Sequence, residues 1–482
     1  MTDCRSHTRA PTLGDVRWSS EAMLPLLGML VFACSQPDSA SADEIDVTSE
    51  TSATTGGGTA GDEDGSAAGS ESSGVEPTTA TSSEPEPEPE PEWSCGAIDC
   101  DDASRTTSLG EMLQIDGCSF ELALEDPLSE ELADRLLERL QTEGVGTRRT
   151  LSEVIDNLNR DGRAGLSSSA TQRLAGQGAV GFRWNTGDEQ VGYWYPQGIT
   201  GTSDAEANER FDGRRLLMVS WYNKTDDRPT RGARITVADI DDLQNVRYRH
   251  LLLVDPEDEG DGPDFGPAEY DSGNALHVGG IVWYGNYLYA ADTAQGVRVY
   301  DLGRIFQPTH TDDTERVGIS AGRSDAHGYA YAVPRIARYR LTSESCRVRF
   351  SFIGLDRQSD PPALVTGEYF SDHPNGRLVV WPLDPETHLP EVRQGITKGV
   401  DAVVIGQTRS QGGVRVGEHF YVSSSSQQGS FGLLYKNRAG QQSTSVPWVY
   451  GAEDLYHERS HGLLWTPAEH PGTRDVVAVP VF

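Results

Sequence analysis

A unit of four short strands repeats through the second half of the chain, and this repeat restricts the possible folds more than any other feature. Its clearest element is an alternating apolar run that occurs three times, at residues 234–240, 297–302 and 377–383. Two strand-like runs precede each copy and one follows it. Four antiparallel strands repeated in sequence are typical of propeller blades, so we predict an all-β fold, and specifically a β-propeller.

The number of repeats sets the number of blades. Two weaker units follow the three clear ones, and the last of them lacks a fourth strand. The run at residues 179–184 has strand character and no other partner, so it can supply that strand and leave no sheet edge open. We therefore predict five blades within residues 176–482. Six blades are the alternative, because the repeats are widely spaced.

Several of these strands also carry a family resemblance. Residues 277–292, HVGGIVWYGNYLYAAD, resemble a blade of uncharacterised exported bacterial β-propeller proteins and lipoproteins. Residues 194–199, 219–222 and 453–455 resemble the same group, so that the similarity extends over most of residues 190–482. It implies the propeller fold for this chain. The group has no assigned activity, so the resemblance implies nothing specific about function.

The N-terminus has the features of an export signal. An apolar run at residues 23–33 is shorter than the ~20 residues needed to cross a bilayer, but it suits the core of a signal peptide. The run ends in Val-Phe-Ala-Cys, which resembles a bacterial lipobox and implies cleavage before Cys34 with a lipid on its thiol. We expect a signal peptide at residues 1–33 and a lipid-anchored protein at the outer membrane or cell surface. Secretion without a lipid is the alternative.

Residues 34–94 have a composition unlike the rest of the chain. Between residues 35 and 92 there are fifteen acids and no Lys or Arg, and Ser, Thr, Gly and Pro fill most other positions. Such a segment cannot bury enough apolar surface to offset the entropy of ordering, so we predict a disordered acidic tether. The chain has a net charge of −34, and the body beyond the tether is acidic too, which excludes nucleic acid as an expected partner.

Residues 95–175 carry the helical signals of the chain. Leucines recur every four residues from Leu128 to Leu140 after the Asp-Pro pair at residues 126–127, and Thr150 with Glu153 forms a capping box. The segment is too short for a core of its own, so we predict a small helical cap packed on the body. An even number of cysteines in an exported chain predicts two disulfides, with three pairings open. These cysteines are Cys95, Cys100, Cys118 and Cys346.

Candidate ligand-binding residues follow from the propeller geometry. The first strand of each blade lines the central axis, so polar residues at the starts of those strands converge at one mouth, where small-molecule sites form. The candidates are Gln197, His277, Arg347 (with Arg349 as its alternative), Gln411 and Glu453. The competing interpretation is that these side chains bond one another and fill the channel.

Three of the axial positions also suggest acid–base catalysis. His277 is followed by two glycines, which allow close approach to the backbone, and its imidazole titrates near neutrality. Glu453 and Asp454 are adjacent carboxylates, the residue type used in general acid–base chemistry. Because adjacent strand residues point to opposite faces, we expect only one of the two acids to face the mouth.

Two motifs suggest metal ions. Alternating acids at Asp255, Glu257, Glu259 and Asp261 resemble the start of a calcium loop, although the glutamate that closes an EF-hand is missing, and calcium is the one cofactor that the sequence suggests. Residues 457–461 read His-Glu-Arg-Ser-His, the pattern of zinc proteases. That chemistry requires a helix, and the flanking residues read as strands, so we predict a turn there instead.

The sequence thus favours an exported, monomeric binding module whose propeller mouth binds a glycan. A propeller-type glycoside hydrolase or polysaccharide lyase, using His277 with Glu453 or Asp454, is the first alternative. The second alternative is an interaction scaffold that docks another envelope protein on its rim.

Overall fold

The repeating runs form antiparallel sheets. The computed structural model describes residues 93–125, 129–224, 230–258, 260–425 and 430–482. The described chain is mostly β, with 44% strand and 12% helix, so the predicted fold class is confirmed in its coarse form. The signal peptide, the lipidation site Cys34 and nearly all of the predicted tether lie outside the described residues.

Five units of four antiparallel strands, called sheets below, follow one another along the chain, and the first and second are parts of one fourteen-stranded sheet. The first sheet contains Trp194–Gly201, Leu216–Asn223, Ala233–Asp239 and Arg247–Glu257. The second contains Ile281–Tyr284, Tyr287–Asp292, Gly296–Asp301 and Ala332–Leu341. The third contains Phe352–Asp356, Ala363–Gly367, Arg377–Pro382 and Asp401–Val404. The fourth contains Ser410–Val416, His419–Ser424, Leu433–Asn437 and Thr444–Pro447. The fifth contains Tyr456–Glu458, Leu463–Pro467, Asp475–Pro480 and Val180–Arg183.

The fifth sheet combines both ends of the body. Its first three strands are the last three of the chain, and its fourth strand, Val180–Arg183, precedes the first sheet in sequence. Val180–Arg183 pairs antiparallel with Asp475–Pro480, with Phe182 opposite Val476. The prediction that the run at residues 179–184 completes the last sheet is therefore confirmed. The first two sheets are also joined, because residues 252–254 run parallel to residues 332–334.

Tryptophans with matched hydroxyl partners recur in the sheets. Trp221 donates its indole N–H to Thr236 Oγ1 at 2.8 Å, and Trp381 donates to Thr366 Oγ1 at the same distance. Both tryptophans are fully buried. A buried indole N–H needs an acceptor, so a hydroxyl on the neighbouring strand lets a large ring fill the core without leaving a polar group unsatisfied.

A chain of buried hydrogen bonds links the first sheet to the helix Thr186–Gln190 that precedes it. Thr236, which accepts from Trp221, lies with its Oγ1 2.6 Å from His250 Nδ1. The other ring nitrogen, His250 Nε2, lies 3.1 Å from Asp188 Oδ1, and Tyr248 donates its hydroxyl to Asp188 Oδ2 at 2.6 Å. Burial, followed by the charge of Arg234, lowers the pKa of His250 to about 3, so its imidazole is neutral at pH 7.

Residues 93–175 form helices, as predicted, and also strands that the sequence did not predict. The capping box of Thr150 and Glu153 is confirmed, while residues 126–128 lie outside the described residues. The helices of this segment are Cys100–Ala103, Gly117–Ser119 (a 3-10 turn), Ser129–Thr142, Leu151–Ile155 and Ser168–Arg173. The strands are Leu113–Ile115, Glu121–Leu124, Gly146–Arg148, Arg160–Asp161 and Arg163–Ala164.

The remaining elements are short and lie in the connections. Two of them are helical, Thr202–Ala205 and the 3-10 turn Leu302–Arg304. The strands are Asp264–Pro267, Phe306–Pro308, Val317–Ser320, Arg323–Ala326 and Ile396–Lys398. No helix in the described ranges is both long and apolar enough to cross a membrane.

Two disulfides fix the N-terminal segment. Cys95 is bonded to Cys118 within the segment, and Cys100 is bonded to Cys346, which follows the last strand of the second sheet. This result selects one of the three pairings that the sequence left open. The second disulfide joins residues that are 246 positions apart, so it ties the segment directly to the sheets.

Candidate functional site

The first strands of the five sheets meet through glycines. A Cβ atom on Gly198 would lie 2.6 Å from the backbone nitrogen of Ile281, and one on Gly412 would lie 2.5 Å from that of Leu455. Gly280 is packed in the same way against the first strand of the third sheet. Only glycine permits backbones to approach this closely. The backbone itself therefore closes the middle of the assembly, at the level of these glycines.

Asp454 lies at this junction. Its side chain is fully buried, and its Oδ2 atom accepts hydrogen bonds from the backbone nitrogens of Ile199 at 3.1 Å and Ile281 at 3.2 Å. These nitrogens belong to the first and second sheets, so one carboxyl group from the fifth sheet fastens three sheets together. Burial raises the pKa of Asp454 well above its ordinary value. These contacts make Asp454 a structural group rather than the catalytic acid that the sequence suggested.

Glu453, the preceding residue, has different partners. Its Oε1 atom accepts a hydrogen bond from Gln411 Nε2 at 3.3 Å, and the side chain is buried. Burial raises the pKa of Glu453 well above its ordinary value, and the nearby carboxylates Glu469 and Asp454 raise it further. The two adjacent acids are therefore used differently, as the alternation of a strand predicts.

Gln197 joins the first and fifth sheets at the same place. Its Nε2 atom donates to Glu469 Oε2 at 2.9 Å and to the carbonyl of Pro196 at 2.9 Å. The pairing register of its strand shifts between Pro196 and Ile199, so Gln197 lies in a bulge that redirects its side chain. Glu469 was not predicted. It lies in the turn after Leu463–Pro467, whereas the sequence analysis considered only the starts of first strands.

His277 contributes an aromatic surface. Its ring stacks on Tyr222, with centroids 4.3 Å apart and planes inclined by 25°, and its backbone nitrogen donates to the hydroxyl of Tyr270 at 3.2 Å. Desolvation by the surrounding protein, followed by the charge of Lys224, lowers the pKa of His277 to about 4. The imidazole is therefore neutral at pH 7.

These groups form one cluster at one end of the first strands. Burial raises the pKa of Tyr222, and the charges of Glu469 and Glu453 raise it further, which connects the stacked pair to the carboxyl groups. We call this set the mouth cluster: Gln197, Tyr222, His277, Gln411, Glu453 and Glu469. Four of its six members were candidates from the sequence. At pH 7 its imidazole is uncharged, and the pKa of its buried acid, Glu453, is raised well above the ordinary value.

The candidate from the third sheet does not join the cluster. Arg347 is exposed, and so is Arg349, whose guanidinium lies 6.0 Å from the ring centroid of Phe370. The sequence analysis placed the start of the strand near residue 347, but the strand begins at Phe352. The neighbouring backbone explains the difference, because Gly279 packs against the carbonyl of Ser351 and leaves no room for an earlier side chain at the axis.

The predicted calcium loop is not a loop over its first half, because Asp255 and Glu257 lie in the last strand of the first sheet, and its contacts do not favour calcium. Asp255 accepts from Arg298 Nη1 at 2.6 Å and from Arg335 Nε at 3.0 Å, so two guanidinium groups already balance its charge. Glu257 and Asp261 are exposed, and Glu259 lies outside the described residues. Within the described ranges, no group of three or more His, Cys, Asp or Glu side chains is placed to hold a metal ion.

The zinc-protease pattern begins on a strand and ends in a turn, whereas the sequence predicted a turn for all of residues 457–461. Tyr456–Glu458 is a strand of the fifth sheet, and Glu458 accepts from Trp465 Nε1 at 2.8 Å and from Arg215 Nη2 at 2.8 Å. The glutamate therefore has a structural role in holding an indole and a guanidinium. Its context is not the helix that zinc-protease chemistry requires.

The opposite end of the first strands is held by arginines. The helix Thr202–Ala205 continues the first strand of the first sheet, and Arg459 donates from Nη2 to the carbonyl of Ser203 at 2.7 Å. Arg357 donates to the carbonyl of Asp204. We call this region, consisting of residues 202–206 with Arg357 and Arg459, the clamped end. Its carbonyls are the free acceptors of a helix C-terminus, which cations satisfy well.

The carboxyl group of Asp204 is buried within the clamped end. Thr200 donates its hydroxyl to Asp204 Oδ2 at 2.8 Å. Burial raises the pKa of Asp204 to about 7, although Arg357 and Arg459 act in the opposite direction. The carboxyl is thus largely uncharged below neutral pH.

The clearest surface depressions lie away from both ends. The larger, of about 460 Å³, is lined by glycines and apolar residues around the turn before Val180–Arg183, and its lining contains no titratable side chain. Neither of these two depressions is lined by a residue of the mouth cluster.

Comparisons with known proteins do not identify a family. No protein-family model matches the chain, and no curated protein matches it. The matching solved structures include hydrazine synthase of Kuenenia stuttgartiensis, which is 10% identical over 58% of this chain and 75% of that chain, with a TM-score of 0.26. Similarity at this level carries no information about the fold or the activity of this chain.

Proposed function

We propose that this protein is an exported, lipid-anchored binding module in which the five sheets are the blades of a β-propeller and the mouth cluster binds a glycan. The propeller interpretation is supported by the order of the sheets. Each has four antiparallel strands, in sequence except for the fourth strand of the fifth sheet, and the first strand of each contacts the first strand of the next. Contacts between the first strands of the fifth and first sheets complete the cycle.

One observation carries the proposal for binding. Gln197, His277, Gln411 and Glu453 come from four different sheets, and they meet Glu469 and Tyr222 at one end of the first strands. Perturbed pKa values are common at functional sites, and here an imidazole that is neutral at pH 7 and a carboxyl group with a raised pKa lie beside amides and an aromatic ring. Hydrogen-bonding groups of this kind around an aromatic platform suit a polyhydroxylated ligand.

A glycan array with the purified protein tests this function. We expect binding to a neutral glycan that falls at least about tenfold in His277→Ala, because the stacking platform is lost. Glu418→Gln is the matched control, since the Glu418 side chain is 70% exposed and bonds only with Arg438 among the described residues. Absence of binding to any neutral glycan would refute the proposal. If a chelator abolishes glycan binding, calcium is a cofactor of this site after all.

An enzyme acting on carbohydrates is the second candidate. The observation in its favour is a buried acid, Glu453, whose pKa is raised beside a second carboxylate, Glu469, since glycoside hydrolases use such a pair. Cleavage of a glycosidic bond requires a proton donor. Glu453→Gln should therefore abolish turnover of a glycan that binds on the array while leaving its binding intact. Hydrolysis or elimination products, analysed by mass spectrometry, would separate a hydrolase from a lyase. Unchanged glycan after prolonged incubation argues for binding alone.

Membrane attachment has its own test. If Cys34 carries a lipid, the protein expressed in a bacterial host fractionates with membranes and dissolves in detergent, whereas Cys34→Ser appears in the soluble fraction. A matched Cys4→Ser variant, altered within the signal peptide, should behave like the unmodified chain. Identical fractionation of both variants would contradict the lipid anchor.

A further inference from the structure

The outer edges of four sheets are covered by additional strands of the same chain. In the first sheet, the outermost strand Arg247–Glu257 pairs with Arg160–Asp161 and with Asp264–Pro267. In the second, Ala332–Leu341 pairs with Glu121–Leu124. In the third, Asp401–Val404 pairs with Leu113–Ile115. In the fifth, Val180–Arg183 pairs with Arg163–Ala164.

The fourth sheet is the exception. Its outermost strand, Thr444–Pro447, pairs with Leu433–Asn437 on one side and with no strand on the other, among the residues that the structure describes. Just before the strand, Gln442 forms an isolated antiparallel bridge with Glu111, and Ser443 donates its backbone N–H to the carbonyl of Gly110 at 2.8 Å. At the other end, Gln177 donates its side-chain amide to the carbonyl of Pro447 at 3.2 Å, so the open part of the edge is residues 444–446. Between these contacts, the described hydrogen bonds from residues 444–446 go only to the inner strand. We call this strand the bare edge.

The bare edge has few of the features that protect exposed strands. Free N–H and C=O groups on an edge pair readily with another extended chain, and proteins usually prevent this with charged side chains, bulges or proline. Thr444, Ser445 and Val446 carry no charge, and proline occurs only at the last position. Thr444 and Ser445 are exposed and Val446 is partly buried.

The type of occupant follows from the rest of the molecule. Every other sheet takes an extended segment of two to four residues at this position, which the chain itself supplies from residues 113–164 or from a neighbouring hairpin. A second copy of this acidic chain is disfavoured by repulsion, given its net charge of −34. Phe431, 39% exposed, offers an apolar contact near the end of the edge.

We propose that the bare edge binds an extended, proline-free segment of a partner protein, which adds as a fifth strand through its main chain. Recognition of this kind, β-augmentation, takes its affinity from backbone hydrogen bonds and its specificity from alternate side chains. Val446 is partly buried and Phe431 is exposed near the end of the edge, so apolar residues at alternate positions of the partner fit best. The bare edge shares no residue with the mouth cluster, and its proposed role does not depend on glycan binding.

Synthetic peptides test the proposal on the full chain. The probe is a nonapeptide of alternating Val and Thr, flanked by lysines for solubility, and its binding is measured by fluorescence anisotropy. The first control is the same peptide with its alternate backbone nitrogens methylated. Methylation keeps the side chains and charge but removes one row of donors, so affinity should fall by about tenfold or more.

Two proline variants locate the binding surface. Successive residues of an edge strand direct their N–H groups alternately inward and outward, so one of Ser445→Pro and Val446→Pro disturbs the inner ladder and the other removes only an outward donor. Thermal unfolding identifies the variant that keeps its stability, and that variant should lose peptide binding by about tenfold. Ser443→Ala, which keeps the backbone N–H, is the control.

The results of these experiments either support or overturn strand addition at the bare edge. Binding that is weakened both by N-methylation and by the stable proline variant supports strand addition at the bare edge. Binding unaffected by either change overturns the proposal, because the peptide then binds elsewhere or through its side chains. Absence of binding at millimolar peptide overturns it as well.

Discussion

The two ends of the first strands bury carboxyl groups in opposite ways. At the clamped end, Arg357 and Arg459 bind the carbonyls of a short helix and surround the buried Asp204. In the mouth cluster, Glu453 and Glu469 contact the amides Gln411 and Gln197 instead. Cations fix the first end. The second end has amide donors and carboxyl acceptors that can exchange protein partners for a ligand.

This difference indicates that the clamped end stabilises the fold, whereas the mouth cluster is available for binding. Guanidinium groups bonded to carbonyls contribute to stability, and removing them leaves buried acceptors unsatisfied. An amide bonded to a partly exposed carboxylate, such as Gln197 to Glu469, contributes less to stability and is easier to displace. We therefore expect substitutions at the junction and the clamped end to change folding, and substitutions in the mouth cluster to change binding.

The largest effect is expected at the junction between the two ends. Asp454→Leu removes the acceptor of two buried backbone N–H groups, so the free energy of unfolding should fall by about 3–5 kcal/mol in urea titrations. Asp454→Asn is the matched control and should lose less, because it keeps one carbonyl oxygen. If Asp454→Leu unfolds at the same urea concentration as the wild type, the stability of the sheets does not depend on this carboxyl group.

The second prediction concerns pH at the clamped end. The folded-state pKa of Asp204 is about 7 and its ordinary value is 3.8. Its contribution to stability is therefore full below pH 3.8 and is lost as the pH rises to about 7, because the unfolded chain releases the proton first. Asp204→Asn should be more stable than the wild type at pH 8, by up to about 4 kcal/mol, and show little gain at pH 4. Equal gains at both pH values would contradict the burial of an uncharged acid.

The third prediction concerns the clamp itself. Arg459→Met leaves the carbonyls of Ser203 and Glu206 without their donors, so unfolding should require about 1–3 kcal/mol less. Arg438→Met, at a side chain that is 42% exposed, is the control and should change stability by less than about 0.5 kcal/mol. If the free energy of unfolding falls by a similar amount in both variants, Arg459 stabilises the protein no more than an exposed arginine does, which contradicts its role at the clamped end.

The smallest effect is expected in the mouth cluster. Because the pKa of His277 is about 4, its imidazole stays neutral between pH 5 and 8, and glycan binding should be constant across that range. Isothermal titration at four pH values checks this. A step in affinity near pH 6.5 would show that His277 titrates normally and is not enclosed by its neighbours.

Sequence patterns located most of the mouth cluster but little of the clamped end. Gln197, His277, Gln411 and Glu453 were found because the alternation of apolar residues locates each first strand to within a few residues, and all four lie in or just before those strands. Glu469 was missed because it lies in a turn, where no spacing rule applies. Asp204 and Arg459 were missed because their roles depend on contacts between distant sheets, which periodicity does not encode.

The peripheral strands also escaped prediction, for a different physical reason. Strands such as Arg160–Asp161 and Arg163–Ala164 contain two residues each, too few to show an alternation. They are strands only because the edge of a sheet lies beside them. The completing strand at residues 180–183 was predictable, since it is longer and contains Phe182, which packs in the core.

The most direct test of the account is a paired measurement on two variants, His277→Ala in the mouth cluster and Arg459→Met at the clamped end. Each is titrated with the neutral glycan identified on the array, and each is unfolded in urea. The account predicts that His277→Ala loses binding by at least about tenfold with little change in stability, and that Arg459→Met does the reverse. Loss of binding in Arg459→Met together with unchanged binding in His277→Ala would contradict it.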